Sequence, residues 1–167
     1  MIVNKQFRFE MAHRVADAYT KECRGLHGHS YMVEIAIGDK NGMHGDMVID
    51  FKLLKDIVHP VIDSMDHAIM VWDKDEFLVK IAHTLNDKIV VVPFNPTAEN
   101  MAKWIYETIA PMFGNFVLKS ITVHETVTAY AKYCDYDYNF DKINDRLFIE
   151  KTREQTIGDI LGQYNEL

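Results

Sequence analysis

His27 and His29 stand two residues apart in Cys23-Arg24-Gly25-Leu26-His27-Gly28-His29-Ser30-Tyr31. In extended backbone, residues i and i+2 point to the same face. Two imidazoles on one face can converge on a metal, and Gly28 puts no side chain between them. A third imidazole, His13, ends the segment Phe7-Arg8-Phe9-Glu10-Met11-Ala12-His13, whose alternation is strand-like. If the two segments lie side by side, three imidazoles meet. Three nitrogen ligands with one open position is the donor set of a catalytic zinc site. Cys23 lies four residues ahead of His27, near enough to line the same pocket. As a fourth ligand it would instead close a structural zinc site with no open position. A His-x-His triplet also recurs by chance, so its weight comes from groups elsewhere in the chain.

Asp66 and His67 form one such group. A histidine whose charge and tautomer are set by a carboxylate can act as a general acid or base. Side chains adjacent in sequence seldom hydrogen-bond each other well, however, and alone the pair reads as surface residues. Glu125 shares a strand face with Ile121 and Val123. It is therefore either a strand end at the surface or a buried carboxylate with a ligand. A carboxylate accepts two parallel N–H bonds from a planar guanidine-like edge, such as the 2-amino-4-oxo ring of a pterin or guanine. The Cys23 thiol beside a metal and cationic groups would ionise near neutral pH.

A chain of 167 residues, 48% apolar and 26% charged, fits one soluble domain with a real core. Its net charge of −7 argues against a nucleic-acid-binding surface. An anionic small substrate remains compatible, because a metal or a few cations can dominate a pocket. Residues 1–8 are charged where a signal peptide needs an apolar run, and no stretch approaches the roughly 20 apolar residues of a membrane span. Two cysteines, Cys23 and Cys134, argue against a disulfide framework and for a reducing cytoplasm.

Positioning these groups requires the following elements. Residues 2–10 alternate as a first strand, and 11–26 read as a connecting loop carrying His13 and Cys23. Residues 30–38 form the clearest strand, with Tyr31, Val33, Ile35 and Ile37 on one face. A turn at Asn41-Gly42 follows, with His44 as a loop residue. Asp50 caps a helix whose apolar stripe runs through Phe51, Leu54, Ile57 or Val58, Val61 or Ile62, and Met65, with Pro60 expected to kink it. Residues 72–87 show no clear pattern, and 89–92 are a short buried strand. Thr97 caps a second helix with Met101, Trp104, Ile105, Ile109 and Met112 on its apolar face, stopped by Gly114. Residues 116–125 and 129–136 are the last strands, and 152–167 a short helix in a charged tail. Strand pairs this close in sequence are antiparallel, so the class is α+β.

The motifs Phe9-Glu10-Met11-Ala12-His13, Cys23-x-x-x-His27-Gly28-His29, Met65-Asp66-His67, Pro96-Thr97-Ala98-Glu99-Asn100 and Val123-His124-Glu125-Thr126 occur in this order. In that order the chain resembles the 6-pyruvoyl-tetrahydropterin synthase family, which includes the 6-carboxytetrahydropterin synthases. The resemblance covers about residues 1–136 as a single domain and leaves 137–167 as an extension without an assigned role. It implies the tunnelling fold: a four-stranded antiparallel sheet with two helices on one face. Trimers would close a β-barrel, two trimers would make a homohexamer, and active sites would lie between subunits. It also implies zinc on His13, His27 and His29, a catalytic Cys23 with Asp66 and His67, and Glu125 as pterin anchor, with Thr97 and Glu99 as further pocket residues.

The three-residue gap between Cys23 and His27 matches the carboxy-forming, queuosine-pathway members. The implied reaction converts 7,8-dihydroneopterin triphosphate to 6-carboxy-5,6,7,8-tetrahydropterin, releasing triphosphate and acetaldehyde. The alternatives are the pyruvoyl-forming reaction, a dihydroneopterin side-chain aldolase, and a zinc-bound pterin-binding protein without catalysis.

Overall fold

Two long strands carry the histidines. Strand β1 (Ile2–His13) and strand β2 (His27–Asp39) pair antiparallel along their whole length, with His13 opposite His27 and Met11 opposite His29. The strict alternation of β1 buries Phe7, Phe9, Met11 and His13 and exposes Asn4, Gln6, Arg8 and Glu10. On the buried face β2 contributes Tyr31, Val33, Ile35 and Ile37. The structure, a computed structural model, describes residues 1–39, 46–85, 88–114 and 116–134. The expected turn at Asn41-Gly42, His44, and the tail 137–167 lie outside the described residues.

Strand β1 runs three residues further than its expected end, and β2 begins three residues earlier. Both histidine clusters thus sit in sheet rather than in a loop. Between them, a four-residue helix α1 (Lys21–Arg24) carries Cys23 and is capped by Thr20. After the second strand, Asp50 caps α2 (Phe51–Met65), its carboxylate accepting from the Lys52 amide at 2.6 Å. The helix continues through Pro60 as one element, burying Leu54, Val58, Val61, Ile62 and Met65.

Among the described residues the sheet has six strands rather than four. Strand β3 (Ala68–Trp72) lies parallel to β1, and β4 (Ile89–Val92) lies parallel to β3, joined by α3 (Glu76–Leu85). Parallel neighbours need such a crossover helix. Leu78 and Ala82 of α3 pack on Val71, so the patternless stretch is in fact a β–α–β unit. Helix α4 (Ala98–Ile109), capped by Thr97, leads through a 3-10 turn (Ala110–Phe113) to β5 (Phe116–His124) and β6 (Tyr130–Tyr133), both antiparallel. The final order is β4-β3-β1-β2-β5-β6.

The two helices expected on the sheet are therefore α2 and α4, which touch each other; α2 packs on β1 and β3, and α4 on β5 and β6. Helices α1 and α3 are additional. Met112, expected on the apolar face of α4, sits exposed in the 3-10 turn because the α-helix ends at Ile109. Gly114 ends that turn with φ 56°, a left-handed conformation that favours glycine.

The α2 cap gives a direct check. Asp50→Ala removes the acceptor for the first turn and should lower stability by about 1 kcal/mol, read as a lower urea midpoint with unchanged slope; an unchanged midpoint contradicts the capping role.

Candidate metal centre

The β1–β2 register alone gathers three imidazoles. His13 faces His27 across the ladder, and His29 follows His27 on the same side. Ring centroids are 4.6 Å apart for His13–His27, 5.3 Å for His13–His29 and 4.9 Å for His27–His29. One nitrogen from each lies within 4.8 Å of the others, the spread at which a single ion can be bound by all three. His13 is buried, and His27 and His29 are half-buried.

Backbone carbonyls orient two of the rings. His13 Nδ1 lies 2.6 Å from the Pro96 carbonyl, and His27 Nδ1 lies 2.8 Å from the Gly25 carbonyl. A carbonyl only accepts, so each Nδ1 carries a proton, and in the neutral ring Nε2 then presents its lone pair. The Nε2 of His13 is buried without a hydrogen-bond partner among the described residues. A buried nitrogen lone pair without a partner is costly, and beside two more imidazoles it fits a metal ion. The three histidines could hold such an ion; that observation, not composition, is what singles them out.

The electrostatics agree. Burial, followed by the neighbouring imidazoles of His27 and His29, pulls His13 down to about 4 against the opposing pull of its bond to Pro96. Burial also lowers His29, with Glu125 acting in the opposite direction. Neutral imidazole is the form that binds a metal. Glu125, just past the end of β5, brings a carboxylate oxygen to 3.9 Å from His13 Nε2. That is beyond hydrogen-bond range, and the Glu125 charge acts on His29 and Tyr31 instead.

The remaining expected residues fall into three places. Cys23 is half-buried on α1, its amide bonding the Thr20 hydroxyl at 3.4 Å; it is not part of the histidine cluster among the described residues. Asp66 and His67 sit in the turn between α2 and β3, and contrary to expectation they do bond each other, with Asp66 Oδ2 3.0 Å from His67 Nδ1. Their contacts run to the backbone amide and carbonyl of Glu10, and neither Asp66 nor His67 belongs to the histidine cluster among the described residues. Thr97 caps α4 through its hydroxyl, and Glu99 is exposed in the first turn. The Thr97 motif nevertheless reaches the site, because the carbonyl of the preceding residue, Pro96, holds His13.

Three features lay outside the sequence reading. Tyr31 is buried with its hydroxyl unpartnered among the described residues, its ring 5.4 Å from His29 and 5.8 Å from His13; burial, then Glu125, pushes its ionisation far up, so it stays a neutral donor. It lies two residues beyond His29 and was findable by the same alternation. The other two are the carbonyls of Gly25 and Pro96, which leave no side-chain signal. Arg14, next to His13, is paired with buried Asp75 at the start of α3 rather than facing a ligand.

The family of 6-pyruvoyl tetrahydropterin synthases matches residues 2–135. A Haemophilus influenzae protein named 6-carboxy-5,6,7,8-tetrahydropterin synthase is 39% identical over 138 residues, covering 78% of this chain and 96% of its own. An Aquifex aeolicus protein of the same name is 31% identical over 155 residues, with the same two coverages of 78% and 96%. Among solved structures, an uncharacterized Wolinella succinogenes protein superposes with TM-score 0.69 at 19% identity, covering 81% of this chain and 98% of its own. The 6-pyruvoyl tetrahydropterin synthase of Caenorhabditis elegans superposes with TM-score 0.59 at 24% identity, covering 81% and 95%. This chain belongs to the 6-pyruvoyl tetrahydropterin synthase family, and it is an enzyme of the lyase type. Among the described residues no helix is long and apolar enough to cross a membrane.

His13 sets a pH dependence of the metal-free protein. Its folded value is depressed, so below its ordinary 6.5 the unfolded chain takes up a proton that the folded chain refuses until about 4. Stability is therefore lost as pH falls through that window, by roughly 3 kcal/mol in total. Chemical denaturation of metal-free protein at stepped pH should show this loss, and His13→Gln should lack it; equal slopes for the two proteins contradict the assignment.

Proposed function

We propose that this chain converts 7,8-dihydroneopterin triphosphate and water to 6-carboxy-5,6,7,8-tetrahydropterin, triphosphate and acetaldehyde, on the route to 7-deazaguanines such as queuosine, with zinc as its metal. The observation that carries the reading is the trio of converging imidazoles, His13, His27 and His29, with the Glu125 carboxylate beside it. Relatives carrying the 6-carboxy-5,6,7,8-tetrahydropterin synthase name across 96% of their length support the choice of reaction, as does the three-residue gap from Cys23 to His27.

His13 and His27 through Nε2, together with His29, would hold the zinc, which when bound would supply a Lewis acid for the hydroxyls of the substrate side chain. Cys23 takes a proton from that side chain. Asp66 holds His67 through the 3.0 Å contact, and His67 gives and takes protons. Glu125 accepts from the amino and ring N–H edge of the pterin, fixing the ring against the metal site. Thr97, whose hydroxyl oxygen is engaged by the Asn100 amide, keeps its O–H to donate to the ring, with Glu99 at the pocket rim. Because Asp66 and His67 are not in the histidine cluster among the described residues, we place the complete site between subunits of a trimer-based hexamer, in which one subunit's pair serves its neighbour's metal site.

Zinc-loaded protein given 7,8-dihydroneopterin triphosphate should release acetaldehyde and triphosphate about one for one, because a single bound substrate is the source of both. Triphosphate without acetaldehyde, with a pyruvoyl pterin formed, would assign the pyruvoyl branch; tight pterin binding with neither fragment would leave a binding protein. Cys23→Ala should keep its zinc and lose on the order of 10²–10⁴-fold in turnover, whereas loss of zinc would make Cys23 a ligand.

A further inference from the structure

Asp66 and His67 occupy an improbable piece of backbone. Asp66 ends α2, its amide bonding the Ile62 carbonyl at 3.0 Å, and His67 follows with φ 57°. That left-handed conformation costs a non-glycine residue about 1–2 kcal/mol, so it persists only where surrounding contacts impose it. From one side the contacts come from β1: the Glu10 amide donates to Asp66 Oδ1 at 2.8 Å, and the His67 amide donates to the Glu10 carbonyl at 2.6 Å.

From the other side they come from the β–α–β unit. Lys88, just ahead of β4, donates its ammonium to the carbonyls of Asp63 at 2.5 Å and Asp66 at 2.9 Å. The last turn of α2 has no basic residue of its own. Lys88 therefore supplies, from a distant strand, the cation that a helix C-terminus favours. Its backbone is held in turn, because its carbonyl accepts the Ile69 amide at 2.8 Å, two residues past His67.

We infer that Lys88 is a positioning residue for the Asp66–His67 pair, holding the turn in the conformation that aims the pair outward. The inference rests on the acid–base reading of that pair given above. Lys88 closes a ring of bonds from α2 through Asp66, His67 and Ile69 back to itself, so the turn is clamped at both ends. It also adds charge of the right sign. The Asp66 carboxyl is held below the usual carboxylate range first by the Glu10 amide, then by the His67 bond and charge, with Lys88 adding to the same effect and partial desolvation opposing it. An ionised Asp66 is the partner His67 needs to hold its ring in place.

The test uses the full chain in its zinc-loaded, assembled form, comparing wild type, Lys88→Met and Lys88→Arg. Lys88→Met should lower kcat about tenfold through loss of orientation, with KM and zinc content unchanged. The Asp66 carboxyl, followed by carbon-13 NMR, should titrate at higher pH in Lys88→Met and return to its wild-type midpoint in Lys88→Arg together with kcat. If Lys88→Met does not fold, Lys88→Gln, which keeps a neutral donor, carries the same readouts. A lower melting temperature with unchanged kcat and an unmoved Asp66 midpoint overturns the inference and leaves Lys88 a helix brace. His67→Ala separates the two levels. Full turnover in that variant sinks the acid–base reading and this inference with it; lost turnover there, beside an unaffected Lys88→Met, overturns only the role of Lys88.

Discussion

The antiparallel register that sets His13 against His27 is the constraint on which the rest depends. Side chains alternate along a strand, so a slip of one residue would turn His13 or the His27–His29 pair to the opposite face. The register is enforced by apolar burial on that same face: Phe7, Phe9 and Met11 on β1, and Tyr31, Val33, Ile35 and Ile37 on β2, all nearly without exposure. The histidines stand at the end of this apolar row. The hydrophobic effect that aligns the strands is therefore also what assembles the donor set.

Burial then tunes what the register assembles. An imidazole inside the protein resists protonation, and three side by side resist it further, so His13 is kept neutral at physiological pH, the form that can bind a metal ion. The carbonyls of Pro96 and Gly25 spend the Nδ1 protons and leave the Nε2 atoms for a cation. The Pro96 carbonyl is itself placed by the stretch between β4 and the Thr97 cap of α4, where Asn95 also accepts the Ala16 amide. The β–α–β unit thus meets the histidine cluster through the approach to Pro96, and the Asp66–His67 turn through Lys88.

Much of this was legible in the chain, for local reasons. The period-two spacing of His27 and His29, the alternation leading to His13, and the caps Asp50 and Thr97 are short-range signals that the fold retains. Strand β3 was not legible, because a parallel strand buried on both faces shows no alternation and its pairing with β1 is non-local. The Asp66–His67 bond was missed because adjacent side chains normally diverge; the left-handed backbone at His67 brings them together. Tyr31 carried the correct spacing but read as core, and its unpartnered hydroxyl emerges only with the packing around it. The partners of Lys88 are carbonyls more than 20 residues away in sequence, with no side-chain pattern to mark them.

The account stands on three imidazoles, without sulfur, forming the metal site. X-ray absorption at the zinc edge of zinc-loaded protein addresses that directly. The expected spectrum has three imidazole nitrogens at about 2.0–2.1 Å and no zinc–sulfur distance. A sulfur scatterer at about 2.3 Å would put Cys23 or Cys134 on the metal and contradict the account.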